Sequence, residues 1–154
     1  MPVDDLQLIR NCDIGEKTTV WNFVNLYGCE IGAECMIGAF VEIQSDVEIG
    51  DRVRIQTHSF VCSKTRIGDD VFVGHGVMFI NDRYPPRSDP EDWSEVIIHD
   101  GVSIGSNATI FPVEIGDNAV VGAGSVVTED VPAGAVVAGN PAEVVGTIDD
   151  YEQL

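Results

Sequence analysis

His75, His58 and the polar stretch that begins at Asn81 are where this sequence is equipped to move a proton or hold an anion. His75 stands between two glycines, in Val-Gly-His-Gly-Val, and the missing side chains leave backbone open to close approach by a ligand. A neutral imidazole accepts a proton near pH 7, so general-base catalysis is the chemistry to expect there. The stretch after Ile80 reads Asn-Asp-Arg-Tyr-Pro-Pro-Arg-Ser-Asp-Pro-Glu-Asp-Trp-Ser-Glu and carries Asn81, Asp82, Arg83, Tyr84 and Arg87. Guanidinium forks match phosphate oxygens, a tyrosine ring stacks on a base or sugar, and a carboxylate holds an amine or hydroxyl. The competing reading makes both imidazoles solvated or packed groups and pairs the arginines locally with Asp89, Glu91 and Asp92. His99 has no comparable surroundings and reads as structural.

A six-residue period holds these groups in place. An isoleucine or valine followed by glycine recurs at Ile14, Ile31, Ile37, Ile49, Ile67, Val73, Ile104, Ile115 and Val121. Such a repeat is a signature of the parallel β-helix, in which each repeat forms one flat face and three close a triangular coil. The aliphatic positions run 14, 20, 26, then 31, 37, 43, then 49, 55, 61, then 67, 73, 79, and resume at 98, 104, 110, 115, 121, 127. Two residues before each sits a small or β-branched side chain, as at Thr18, Val24, Val41, Ser59 and Ala108, and strand alternation turns both positions inward. The spacing predicts an all-β prism of about six coils, with residues 1–12 as lead-in, 131–154 as a C-terminal cap and a projecting loop at about 81–95. The steps from 26 to 31 and from 110 to 115 are one residue short and fall at one corner, the corner from which the loop departs. A loop of this length without a repeat of its own is expected to be a lid or binding segment, a tolerated surface insertion being the alternative. Thr57 matches His75 one coil earlier and His58 is one position on, so both imidazoles are expected on one edge, next to that loop.

With no run of eighteen apolar residues and no basic-then-apolar leader, the 154 residues read as one soluble, cytoplasmic domain, 1–154. The formal charge is −18, with two lysines and six arginines against 26 acids. A polyanionic surface repels phosphate backbones and anionic headgroups, so neither nucleic acid nor membrane is an expected partner. The acidity suits a high-salt cytoplasm or simply marks an acidic protein. Cys12, Cys29 and Cys35 fall in the inward slot and Cys62 at a corner. Without a Cys-x-x-Cys pair they read as buried free thiols in a reducing compartment, although Cys12 and Cys29 would stack closely enough for a bridge.

Val20-Trp21, Asn25 to Gly32, Gly74 to Pro85, Ile104 to Ile110, Val120 to Thr128 and Gly139 to Ala142 together carry a resemblance over nearly the whole chain. In these stretches the chain resembles the left-handed β-helix acyltransferases of the hexapeptide-repeat family, particularly the sugar-nucleotide N-acetyltransferases that act on amino sugars. Gly-Ala-Gly at 122–124 and Gly-Asn-Pro-Ala at 139–142 are common across those transferases, and Phe-Ile-Asn-Asp-Arg-Tyr-Pro at 79–85 is more particular to the amino-sugar group. The resemblance implies a left-handed helix, a homotrimer with sites in the clefts between prisms, and acetyl-CoA as donor, with no metal. It places Gly122, Ala123, Gly124, Ala138, Gly139, Asn140 and Pro141 along the cofactor. It implies a dTDP- or UDP-linked 3- or 4-amino deoxyhexose as acceptor, for cell-surface glycan synthesis, met by His58, Asp82, Arg83, Tyr84 and Arg87. Glu129 stands where many relatives carry a lysine or arginine, which leaves phosphate contacts there to backbone amides or a partner chain.

A thioester needs little acid assistance, because its leaving thiolate belongs to a thiol of pKa ~8.5. The demand falls on the amine, which must arrive unprotonated and lose a proton, and a positioned base contributes on the order of 10²–10⁴ in rate. His75 is the candidate base. The galactoside and maltose acetyltransferase branch keeps a histidine in its projecting loop, whereas this loop has none; in some amino-sugar members an asparagine at the place of Asn81 orients the reactants. The expectation is that His75→Ala slows the chemical step and Asn81→Ala disturbs orientation. Three alternatives stand beside this one: an O-acetyltransferase, a zinc-dependent γ-carbonic-anhydrase-like protein using His58, His75 and His99 across a subunit boundary, and a non-catalytic scaffold.

Overall fold

A computed structural model describes residues 6–151, and these wind into a triangular prism of three sheets, a left-handed parallel β-helix. On the first face Ile9 pairs with Leu26, Leu26 with Ile43, Ile43 with Val61, Phe79 with Ile110 and Ile110 with Val127. The second face stacks Ile14, Ile31, Ile49, Ile67, Ile98 and Ile115, and the third Val20, Ile37, Ile55, Val73, Ile104, Val121 and Val137. Like stacks on like because each coil repeats at the strand spacing of ~4.8 Å, and strand alternation sends these columns inward. Ile37, Ile55, Ile104, Ile110 and Ile115 are fully buried, each stabilising the prism by ~1.5–3 kcal/mol.

Coil spacing also explains the glycines that follow the aliphatic residues. A Cβ on Gly105 would stand 2.4 Å from the backbone nitrogen of Ala123. The aliphatic-glycine pairs lie only on the second and third faces, since on the first face the following residue is Arg10, Tyr27, Gln44, Cys62, Ile80, Phe111 or Thr128.

The helix runs one strand further at each end than the six coils expected. Leu8–Arg10, inside the expected lead-in, pairs in parallel with Asn25–Tyr27, and Ala135–Gly139, inside the expected cap, pairs with Val120–Val121. Neither end strand carries the aliphatic-glycine signature: Ile9 belongs to the face that never has it, and Val137 is followed by Ala138. Past Asn140-Pro141 the chain reverses into the antiparallel strand Ala142–Thr147 and the short helix Ile148–Tyr151, which close that end.

Part of the acidity is structural. At the corner between the second and third faces, Asp51, Asp69, Asp100 and Asp117 each accept a backbone N–H one coil down, from Ala33, Asp51, Asp69 and Asp100, at 2.8, 2.8, 2.8 and 3.1 Å. These carboxylates satisfy backbone donors that the corner turns leave without a sheet partner. Cys29, Cys35 and Cys62 are buried free thiols, and the Cys12 and Cys29 sulfurs lie 3.2 Å apart. Burial foremost, then the neighbouring Cys12, pushes Cys29 up to about 12. Among the described residues no helix is long and apolar enough to cross a membrane.

Candidate active site

The corner between the third and first faces turns through left-handed residues: Phe23, Phe40, His58, Gly76, Asn107 and Gly124, with φ between 61 and 70°. Phe23 stacks on Phe40 at 5.0 Å and Phe40 on His58 at 4.9 Å, forming a ladder of exposed rings up this edge. Thr57 bonds His58 Nδ1 at 2.9 Å. One coil further, His75 is exposed and its backbone N–H donates to Ser106 Oγ at 3.2 Å. The edge is continuous towards the C-terminal end, because Gly76 N donates to Thr57 O, Asn107 N to His75 O and Gly124 N to Ser106 O.

Gly122, Ala123 and Gly124 therefore lie on the edge that carries His75, two coils or about 10 Å away. A side chain at Gly124 would meet nothing within 4 Å, so the backbone there is open. Gly139 N donates to Ser125 Oγ at 3.3 Å, and Ala138 packs over Gly122, which brings the 138–141 segment to the same end. Exposed glycine backbone beside an imidazole suits an extended amide-bearing ligand laid along the coils.

The loop leaves from a different corner, between the first and second faces. Asn81 Nδ2 donates to Ser63 O at 2.9 Å, and Ser94 N donates to Asn81 O at 2.9 Å, closing the loop at its root. Lys64 Nζ holds the carbonyls of Pro90 and Trp93 at 2.7 and 3.0 Å. Asp82 accepts from the backbone N–H groups of Tyr84 and Arg87 at 3.0 and 2.7 Å, so its carboxylate shapes the first turn. The Arg87 guanidinium lies over the Tyr84 ring at 5.3 Å, and Tyr84 is itself 68% exposed. Arg83 turns back over Phe111 and donates to Pro112 O and Thr128 O.

Two expectations change with these placements. The histidines do not adjoin the loop: the extended stretch 77–80, on the order of 13 Å, separates the two edges of one chain. Counting residues from His75 to Asn81 hides this, because the strand between them crosses the whole first face. The arginines do not pair with the side chains of Asp89, Glu91 or Asp92 either: Arg87 takes Asp82 at 3.9 Å, and Arg83 takes backbone carbonyls. His99 lies at the second-to-third corner in a place that other coils fill with glycine, its Nε2 2.6 Å from Glu114 Oε1. The three histidines thus do not converge within one chain, and no cluster of three metal-ligating side chains exists among the described residues. Sequence reasoning missed the Phe23–Phe40–His58 ladder, although the recurrence of a ring once per coil was its signal.

Known proteins share this architecture. A model described as bacterial transferase hexapeptide (six repeats) matches residues 28–63, and one described as hexapeptide repeat of succinyl-transferase matches 95–129. The chain is 49% identical over 79 residues to a 2,3,4,5-tetrahydropyridine-2,6-dicarboxylate N-acetyltransferase of Staphylococcus aureus, covering 51% of this chain and 31% of that protein. It spans about a third or less of the length of the curated relatives it matches. Its fold is that of AntD, an N-acyltransferase from Bacillus cereus solved with dTDP and coenzyme A: TM-score 0.77 at 20% identity, over 94% of this chain and 90% of AntD. The hexapeptide-repeat acetyltransferase VCA0836 of Vibrio cholerae, solved with acetyl coenzyme A, is 28% identical at a TM-score of 0.55, over 88% of this chain and 70% of that one. Over residues 28–63 and 95–129 the chain matches the hexapeptide repeat, and its β-helix resembles the acyltransferases built on that repeat.

Proposed function

We propose that this protein transfers the acetyl group of acetyl-CoA to the amino group of a nucleotide-linked amino sugar. One observation carries the reading: among the described residues a single ordered loop, bearing Asn81, Asp82, Arg83, Tyr84 and Arg87, interrupts an otherwise regular prism. A scaffold has no use for such an interruption, and the open backbone at Gly124, on the edge it shares with Gly122 and Ala123, is consistent with room for a pantetheine arm. The neighbours support both halves, one holding acetyl coenzyme A and another dTDP with coenzyme A.

In this reading the cofactor runs past Gly122, Ala123, Gly124 and the segment Ala138, Gly139, Asn140, Pro141. Tyr84 and Arg87 meet the nucleotide sugar, with Asp82 and Arg83 shaping their loop as well as reaching it. His75, His58 and Asn81 serve the reacting atoms. Since the histidine edge and the loop edge lie across one face, the reaction needs the histidine edge of one copy beside the loop of another. A closed homotrimer of heterologous contacts provides that. Held in near-attack geometry, the amine and thioester gain several kcal/mol, up to ~7–11, before any proton is moved. The work belongs to cytoplasmic assembly of cell-surface glycans, where acetyl-CoA and nucleotide sugars meet. Incubation with dTDP- and UDP-linked 3- and 4-amino sugars and acetyl-CoA, followed by mass spectrometry, tests this. One nucleotide sugar should gain a single acetyl group, and no gain on any of them contradicts it.

A further inference from the structure

The Thr57 hydroxyl oxygen lies 2.5 Å from the carbonyl oxygen of Ala39 and 2.9 Å from His58 Nδ1. Two oxygens approach that closely only with a proton between them, and a carbonyl has none to give, so the single hydroxyl proton is committed to Ala39. Nδ1 must then donate to Thr57. The neutral imidazole of His58 therefore carries its proton on Nδ1 and its lone pair on Nε2. Its plane is fixed as well, by the stack on Phe40 at an interplanar angle of 16°, with Phe40 stacked in turn on Phe23 at 12°. These three side chains hang from left-handed backbone, a conformation unfavourable for a residue other than glycine and held here by the surrounding coils. His75 differs on each count: among the described residues its imidazole has no hydrogen-bond or ring partner, and only its backbone N–H is engaged.

We propose that His58, in place of His75, takes the proton when the amine attacks the thioester. The proposal rests on the transferase reading. The amine lone pair forms the new C–N bond, the C–S bond breaks with its electron pair leaving on sulfur, and the proton of the resulting ammonium passes to His58 Nε2. From there it goes to the coenzyme A thiolate, leaving amide, free thiol and neutral imidazole. Thr57 and Phe40 are positioning residues, and His75 keeps a binding role.

Long-range proton–nitrogen correlation spectra of the full chain test the tautomer, with His58→Asn identifying the resonance. Asparagine tolerates the left-handed backbone, which keeps that variant folded. His58 should appear as the Nδ1–H form, Thr57→Val should abolish the preference, and Thr57→Ser should keep it. In acetyl transfer, His58→Asn should lower kcat on the order of 10²-fold or more with the KM for acetyl-CoA little changed. Thr57→Val should lower it by a smaller factor and Thr57→Ser should restore it. An Nε2–H tautomer, or wild-type turnover in His58→Asn, overturns the proposal. Wild-type protein that shows the Nδ1–H form yet acetylates none of the amino sugars overturns the transferase reading, and the catalytic role falls with it.

Discussion

The guanidinium of Arg83 reaches across the first-to-second corner to the carbonyl oxygen of Thr128, 3.2 Å from each terminal nitrogen, while one of those nitrogens also holds Pro112 O at 3.1 Å. A residue of the projecting loop is thereby fastened to two later coils, and the loop is a braced part of the prism.

Replacing Arg83 by alanine should free the loop. Charge-assisted bonds to carbonyls contribute more than neutral ones, but solvent reaches this group, so the expected loss of stability is about 1 kcal/mol. The informative readout is limited proteolysis: cleavage between 83 and 92 should quicken, and the KM for the nucleotide sugar should rise. Unchanged cleavage with raised KM would make Arg83 a ligand contact only.

Arg52 and Asp70 form a fork-to-fork pair, Nε to Oδ1 at 2.7 Å and Nη2 to Oδ2 at 3.0 Å, and the hydrogen bond to Arg52 holds the Asp70 carboxyl below its usual range. A depressed carboxylate contributes stability that is present above its unfolded pKa near 3.8 and is lost as pH falls through the lower folded value. Wild type should therefore melt above Asp70→Asn at neutral pH, and the gap should narrow and close as pH falls below 3.8 through the lower folded value. Both groups are exposed, so salt should shrink it as well. A gap that persists in acid would remove the ion pair from the account.

Cys29 supplies a reactivity test. With its thiol pushed up to about 12, almost none is thiolate at pH 8, whereas the half-buried Cys12 beside it is the accessible partner. Iodoacetamide on native protein should label Cys12 and spare Cys29, Cys35 and Cys62. The raised folded value has a second consequence: stability present below the ordinary thiol pKa near 9 is lost as pH climbs from there towards about 12.

Gly105→Ala should be among the most damaging single-methyl changes. The added carbon meets backbone atoms of Ala123 and Gly122 at 2.4 to 2.8 Å, and stacked backbone cannot step aside as a side chain can. A cost of about 3 kcal/mol is expected in urea unfolding. Gly124→Ala has open space and only its left-handed backbone to oppose it, so its cost should be nearer 1 kcal/mol.

The prism was legible because its cause is periodic. Ile31 follows Ile14 in the same slot of the next coil, and inward packing demands an aliphatic residue each time. Where packing does not dictate composition, the sequence fell silent. Leu8–Arg10 belongs to the face whose aliphatic residues are never followed by glycine, and Ala135–Gly139 has no full coil above it. The candidate site groups were legible as types but not as places. His75 and Asn81 are six positions apart in sequence, yet a strand that spans a face sets them on separate edges. The internal order of the loop, with Asp82 capping Tyr84 and Arg87 and Lys64 gripping Pro90, depends on particular hydrogen bonds that no pattern announces.

That separation makes subunit complementation the most direct test of a site shared between copies. The His58→Asn/His75→Ala double variant and the Asn81→Ala variant should each be nearly inactive in acetyl transfer to the amino-sugar nucleotide. Co-expressed and purified as mixed assemblies, they should regain a substantial part of wild-type turnover, because some clefts then join an intact histidine edge to an intact loop. Mixed assemblies as inactive as either variant alone would contradict a reaction carried out between two copies of this chain.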